Sequence, residues 1–167
     1  LKLRSNSTAA EAGTDYGVVT SFDNNGFTVG GTIDTGDVNF LNWTYVAWNW
    51  KAGGDDVQNT DGTITSQVSA NTDAGFSVVK FTGNTEVNPT VGHGLNSEPE
   101  IYFLKGRDNG TDSWIVSGNR TIFSSPSTNF LRLNTTASVG STTSNAVGSN
   151  GNVINIGARN YNTQDTI

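Results

Sequence analysis

Apolar and polar residues alternate with a period of two along much of this chain, and turn residues break the runs into short segments. The alternation predicts strands at 1–4, 17–22, 26–30, 38–50, 62–69, 75–82, 99–106, 112–117, 121–124, 130–134 and 152–157. Turn signals separate them at Asp23-Asn24-Asn25-Gly26, Gly53-Gly54-Asp55-Asp56, Asp61-Gly62, Gly83-Asn84, Asp108-Asn109-Gly110 and Ser149-Asn150-Gly151. No stretch carries a helical stripe, and Pro126 with its neighbouring serines marks a loop. The richest segment is Thr44-Tyr45-Val46-Ala47-Trp48-Asn49-Trp50-Lys51-Ala52-Gly53-Gly54. Extended, it places Val46, Trp48 and Trp50 on one face and Tyr45, Ala47 and Asn49 on the other. Two tryptophans on one side predict that this side is buried against a second layer. The expected fold is all-β, a two-layer antiparallel β-sandwich of jelly-roll or lectin-like type, built from tandem modules.

An internal echo suggests how the modules are arranged. Leu1-Lys2-Leu3-Arg4-Ser5-Asn6-Ser7-Thr8-Ala9 resembles Leu131-Arg132-Leu133-Asn134-Thr135-Thr136-Ala137. Each is followed by a loop of small polar residues and then by a short strand after Asn-Gly, at Phe27–Gly30 and Val153–Gly157. Thr44-Tyr45-Val46 then aligns near Thr166-Ile167. The echo predicts the C-terminal half of one β-sandwich repeat at 1–50, a linker loop at 51–61 and a second repeat at 62–167. The second repeat would lack its last strand, and a sheet in that state leaves an edge for a neighbouring segment to fill. On this reading the chain is a piece of a longer polypeptide.

Composition narrows the classes of function. Charged residues are only 14% of the chain, aromatic residues are 10%, and the formal net charge is −6. Lys and Arg are scattered singly, so no basic stripe is available to neutralise phosphates and nucleic acid is not an expected partner. The acidity opposes an anionic membrane surface, and no apolar run reaches the length of a membrane span. Cysteine is absent, which excludes disulfides and thiolate metal sites.

Candidate chemistry is sparse. His93, the single histidine, lies between Gly92 and Gly94 with no partner visible for metal binding or base catalysis, and is expected to be a turn residue packed against the strand near Ile101. Asp55, Asp56 and Asp61, with Asn59, put oxygens in one loop, as do Asp108, Asn109 and Asp112, so both loops are weak calcium candidates. The spacing is not that of an EF-hand, and Asx residues favour turns without any metal. Glu86, Glu98 and Glu100 lie in loops or at a strand start. No nucleophile elbow, phosphate loop or zinc-protease motif occurs, so neither an enzymatic activity nor a cofactor is expected. Aromatic rings that could stack on sugars are Trp43, Tyr45, Tyr102, Trp114 and Tyr161. Trp48, Trp50 and Trp114 are expected in the core, which leaves Trp43 and Tyr161, beside loops, as the glycan candidates. Asn-x-Ser/Thr triplets start at Asn6, Asn42, Asn109, Asn119 and Asn134, as chance alone would give in so Asn/Ser/Thr-rich a chain.

Several of these motifs occur in a familiar order. Tyr45–Gly54, Asn59-Thr60-Asp61-Gly62-Thr63-Ile64-Thr65-Ser66-Gln67-Val68-Ser69-Ala70-Asn71, Ala74–Val79 and Thr90-Val91-Gly92-His93-Gly94-Leu95 with Pro99 resemble a recurring signature. It is found in repeated β-sandwich modules of large virion proteins from phages of marine bacteria. The resemblance spans most of residues 40–140. It implies a non-enzymatic virion-surface component of tail-fibre, tail-spike or receptor-binding type, extracellular on the particle. Its expected partners are other copies of itself, neighbouring virion proteins and host-surface glycans. Two other classes fit the same residues: a shell or filament subunit joined by strand exchange, and a bacterial carbohydrate-binding module or adhesin.

Overall fold

Turn chemistry fixes where the strands begin and end. In the computed structural model, which describes residues 2–13, 19–30, 38–108, 110, 114–119, 129–141 and 148–156, Asp23-Asn24-Asn25-Gly26 closes a hairpin between β1 (Val19–Asp23) and β2 (Gly26–Val29). The Thr28 hydroxyl donates to the Asp23 carboxylate at 3.0 Å and ties the two strands beside the turn. This hairpin belongs to one of two compact units, formed by Leu1–Leu3 and Glu11–Asn49; the other comprises Arg4–Ala10 and Trp50–Ile167. The described residues are all-β and contain no helix.

Among the described residues the second unit holds three antiparallel sheets. β3 (Val57–Asn59), β4 (Ser66–Asn71) and β5 (Phe76–Phe81) form the first, with β4 central. Its β4–β5 turn uses the Asn71 side chain as an acceptor for the Ala74 N–H and places Gly75 at φ 65°, a left-handed conformation open to glycine at little cost. Then come β6 (Thr90–Gly92), β7 (Ile101–Leu104), β8 (Ile115–Gly118), β9 (Asn129–Arg132), β10 (Gly140–Ser141), β11 (Gly148–Asn150) and β12 (Val153–Asn155). They pair as a four-stranded sheet in the order β10-β9-β8-β7 and a three-stranded sheet in the order β11-β12-β6. A parallel bridge between Ile64 and Val91 links the sheet of β4 to that of β6. Beside the bridge, Thr63 and Thr90 each accept the other's backbone N–H on their hydroxyls, at 3.0 and 3.1 Å.

Every sheet of the second unit contributes to one core: Ile64, Phe81, Val91, Leu104, Ile115, Phe130 and Ile156, with Val79 and Ile154 packed against it. Each such side chain contributes about 1.5–3 kcal/mol on leaving water. Alternation puts Tyr102, Leu104, Ile115 and Ser117 on the inner face of the four-stranded sheet. Ile101, Phe103, Val116 and Leu131 lie on its outer face, with Phe103 opposite Val116 and Val116 opposite Leu131. The architecture is sandwich-like, as the alternation predicts.

Three sequence expectations need correction. Residues 38–50 form no strand among the described residues, and Trp48 and Trp50 are 78% and 65% exposed. Period-two alternation marks which face of a ribbon is apolar, but it cannot show that a second layer is there to receive it. The core of the second unit is closed without these tryptophans, by isoleucine, valine, leucine and phenylalanine side chains. Within 51–61, expected to be a linker, Val57–Asn59 pairs with β4 as β3, so this stretch is part of the second unit. Finally, 1–4 forms only an isolated bridge, Lys2 to Ala12, and 121–124 lies outside the described residues.

Candidate functional site

Residues 40–45 make a tight aromatic turn in the first unit. The Trp43 N–H donates to the Phe40 carbonyl at 3.2 Å, and Asn42, at φ 65°, occupies the left-handed position such a turn requires. Asn accepts that conformation more readily than bulkier residues. The Phe40 N–H is taken up by the Tyr45 hydroxyl at 3.0 Å. The Phe40 and Trp43 rings meet tilted by 39°, with centroids 5.3 Å apart. Backbone and rings thus hold one another, and Trp43 is presented 69% exposed. From Val38 to Trp50 the chain carries no charged residue. A rigid, uncharged indole beside asparagines suits a sugar ring, whose C–H face meets the π surface while amides take its hydroxyls.

After the turn, residues 43–50 form no helix, strand or further turn. No backbone group pairs with Thr44–Trp50 among the described residues. The end of the run is anchored within the second unit. There the Lys51 carbonyl accepts from the Asn71 side chain (3.2 Å), and the Gly54 carbonyl accepts from the Ser69 hydroxyl (2.7 Å). Gly53 packs so closely on β4 that a Cβ would lie 2.0 Å from the Ala70 carbonyl oxygen. The Trp50 ring stacks on Phe76 with centroids 6.0 Å apart.

The other candidates resolve differently. His93 is fully buried, and both ring nitrogens are engaged by backbone. Nδ1 accepts the Leu95 N–H (3.1 Å), so the proton sits on Nε2 and is donated to the Gly151 carbonyl (2.7 Å). Neither nitrogen is left to act as base or ligand. The ring locks onto the β11–β12 hairpin rather than the strand near Ile101, and the Ser77 hydroxyl donates to the His93 carbonyl at 2.6 Å. Asp55, Asp56 and Asp61 are exposed. They do not converge: among the described residues no three acidic or histidine side chains come together around a common point. Asp61 is occupied with Asn59, whose side-chain oxygen accepts its N–H at 2.9 Å. Glu98 accepts the Ser149 hydroxyl at 2.7 Å. Tyr102, a sugar candidate by sequence, is buried in the sheet. Trp114 is half-buried and donates its indole N–H to the Arg4 carbonyl at 2.8 Å. Tyr161, Asn109 and Asp112 lie outside the described residues.

The profile of a family described as a domain of unknown function (DUF7483) matches residues 1–167. The chain belongs to the DUF7483 family. Comparison with curated proteins and with solved structures returns no match.

One feature of this DUF7483 chain escapes sequence reading. Lys105 is buried, with Nζ donating to the carbonyls of Gly106 (2.6 Å) and Thr8 (3.2 Å). Alternation puts it on the outer face of the four-stranded sheet with Ile101 and Phe103, where a lysine would be expected in solvent. Residues 4–10 cover that part of the face, and Arg4 and Thr8 supply the carbonyls that take up Trp114 and Lys105. No local sequence signal announces a cover drawn from a hundred residues away.

Proposed function

We propose that this protein is a non-enzymatic component of a bacteriophage virion surface, of tail-fibre, tail-spike or receptor-binding type, which displays a β scaffold and engages host-surface glycans. The observation that carries the reading is Trp43, held exposed on a turn closed by one backbone hydrogen bond and one from the Phe40 N–H to the Tyr45 hydroxyl, in an uncharged setting. A ring fixed in that way loses little conformational freedom on binding, as suits recognition of a weakly binding sugar. The order of motifs from Tyr45 to Leu95, resembling that of phage virion proteins, supports the particle surface as its place. The lone histidine, with both ring nitrogens engaged, supports a role without catalysis.

The test is binding of the full chain to a glycan array that includes saccharides of marine bacterial envelopes, repeated with Trp43→Ala and Tyr161→Ala. Loss of a stacked indole is expected to weaken binding about tenfold or more. Binding that is unchanged by both substitutions discards the sugar assignment. Labelling of intact particles with antibodies to the chain addresses location, and unlabelled phage particles would exclude the virion surface.

A further inference from the structure

We propose that the ribbon Val46–Trp50 is an intermolecular strand, received by the β7 edge of a second copy of this chain. The inference stands on the ribbon's own geometry and holds wherever the protein resides. Val46, Trp48 and Trp50 alternate along the segment, on one face of it when extended, and are 81%, 78% and 65% exposed. With side chains of this size that face amounts to roughly 500 Å² of apolar surface. A standard interface takes about 800 Å² from each partner, so this strip with its backbone and rim is of the right scale.

The backbone points the same way. The N–H and C=O groups of the ribbon are unpaired within the described chain, while its neighbours on both sides are fixed: Phe40–Tyr45 by the aromatic turn, and Lys51–Gly54 by Asn71, Ser69 and Ala70. A segment with free main-chain groups can add to a sheet edge through its backbone, while alternate side chains fill pockets beside it.

The edges of the second unit differ in how they are protected. β5 carries Lys80, β3 is three residues long, β10 is two residues long, β11 is Gly-Ser-Asn, and β6 is already bridged by Ile64. Charges and short polar strands of this kind discourage pairing. β7 ends its sheet and has no charged residue between Ile101 and Leu104. Its outward side chains are Ile101, 44% exposed, and Phe103, 55% exposed. The residues opposite β8 in hydrogen-bonded register are Glu100, Tyr102 and Leu104, given that the Asn119 N–H donates to the Glu100 carbonyl. The main-chain groups of Ile101 and Phe103 therefore face away from the sheet, on the same residues whose side chains are apolar and exposed. Ribbon and edge are both uncharged in a chain of net charge −6, so they are where two copies approach with least repulsion. The contact either is exchanged reciprocally between two copies in a two-fold dimer or propagates into a closed ring or a filament.

Sedimentation velocity and light scattering on the full chain test this. The wild-type chain is expected to assemble reversibly with concentration. Trp48→Ala should weaken assembly roughly thirtyfold, the effect of losing a central aromatic anchor. Ala47→Pro should do the same by removing a ribbon N–H, and circular dichroism and Tm should not change because that N–H has no partner within the described chain. The absence of cysteine allows a placement test. Val46→Cys mixed with Phe103→Cys should be joined by a short bismaleimide, and Val46→Cys mixed with Val87→Cys should not. A chain that stays monomeric at high micromolar concentration overturns the proposal, as does assembly unaffected by both ribbon variants. Equal cross-linking to positions 103 and 87 would overturn β7 as the receiving edge. A monomer in which only a glycan shields Trp48 from acrylamide quenching would assign the ribbon to sugar instead.

Discussion

Burial raises the Tyr102 phenol from its ordinary 10.0 to about 12, and the nearby Ser117 side chain and Gly148 backbone offset only part of that effect. No group among the described residues completes a well-formed hydrogen bond with its hydroxyl. Below pH 10 the phenol is protonated in folded and unfolded chains alike, and its contribution is fully present. Between about 10 and 12 the unfolded chain releases its proton first, so stability falls as pH rises. The loss approaches about 2–3 kcal/mol above that window. Tyr102→Phe should therefore flatten the alkaline limb of a denaturation profile. At neutral pH it should be neutral or mildly stabilising, because it removes an unpaired buried hydroxyl. His93 makes a second prediction at this scale. Nitrogen NMR should find the Nε2–H tautomer with a slowly exchanging ring proton, and His93→Ala should cost about 2–4 kcal/mol by leaving a cavity and two unpaired backbone groups. A fast-exchanging ring proton would contradict the lock to Gly151. The glycines around His93 made a turn legible in the sequence. Its partner was not, because Gly151 lies 58 residues away and is reached only through the β6–β12 pairing.

At the scale of elements, strands of four or more residues were readable, and β1, β2, β5, β7 and β9 lie within two residues of their expected positions, as does the three-residue β12, which the Asn-Gly turn before it announces. β3, β6, β10 and β11 contain two or three residues each, too few for a period to emerge. They exist because a neighbour supplies the ladder, and that information is non-local. Residues 38–50 show the reverse case, an excellent pattern with no partner strand inside the described chain. Where the chain leaves this segment, Gly53 permits a backbone approach that no other residue could make. Gly53→Ala should destabilise the second unit by about 1–3 kcal/mol, because a methyl group would meet the main chain of β4. Gly26→Ala, with nothing within 4 Å of its Cβ position, is the matched control and should stay within about 0.5 kcal/mol. Equal Tm values for the two variants would remove the close approach from the account.

For the whole molecule, the sandwich class follows from composition and alternation, and the core residues from their inward parity. What parity left open was the outer face of the four-stranded sheet, where Val116 is as buried as a core residue. The candidate site was partly legible: Trp43 was singled out for lying beside a loop, and the structure adds the turn that fixes it. The calcium candidates illustrate the limit, since spacing along a loop says little about convergence in space. Truncating a core side chain tests the common core directly. Leu104→Ala should cost about 2–5 kcal/mol and lower Tm in a single transition for the second unit. Separate melting of its sheets would show that they do not share one core.

Residues 4–10 belong to the second unit although residues 1–3 and 11–49 do not, so the chain passes from one unit to the other more than once. Cutting the gene at codon 50 would thus not yield a self-sufficient module. It would take away the Thr8 and Arg4 carbonyls that accept from the Lys105 ammonium and the Trp114 indole, and so remove two of the bonds that tie residues 4–10 to the four-stranded sheet. Proteolytic nicking within 11–49 has a different outcome, because residues 4–10 would stay clasped to the remainder and be released only on denaturation.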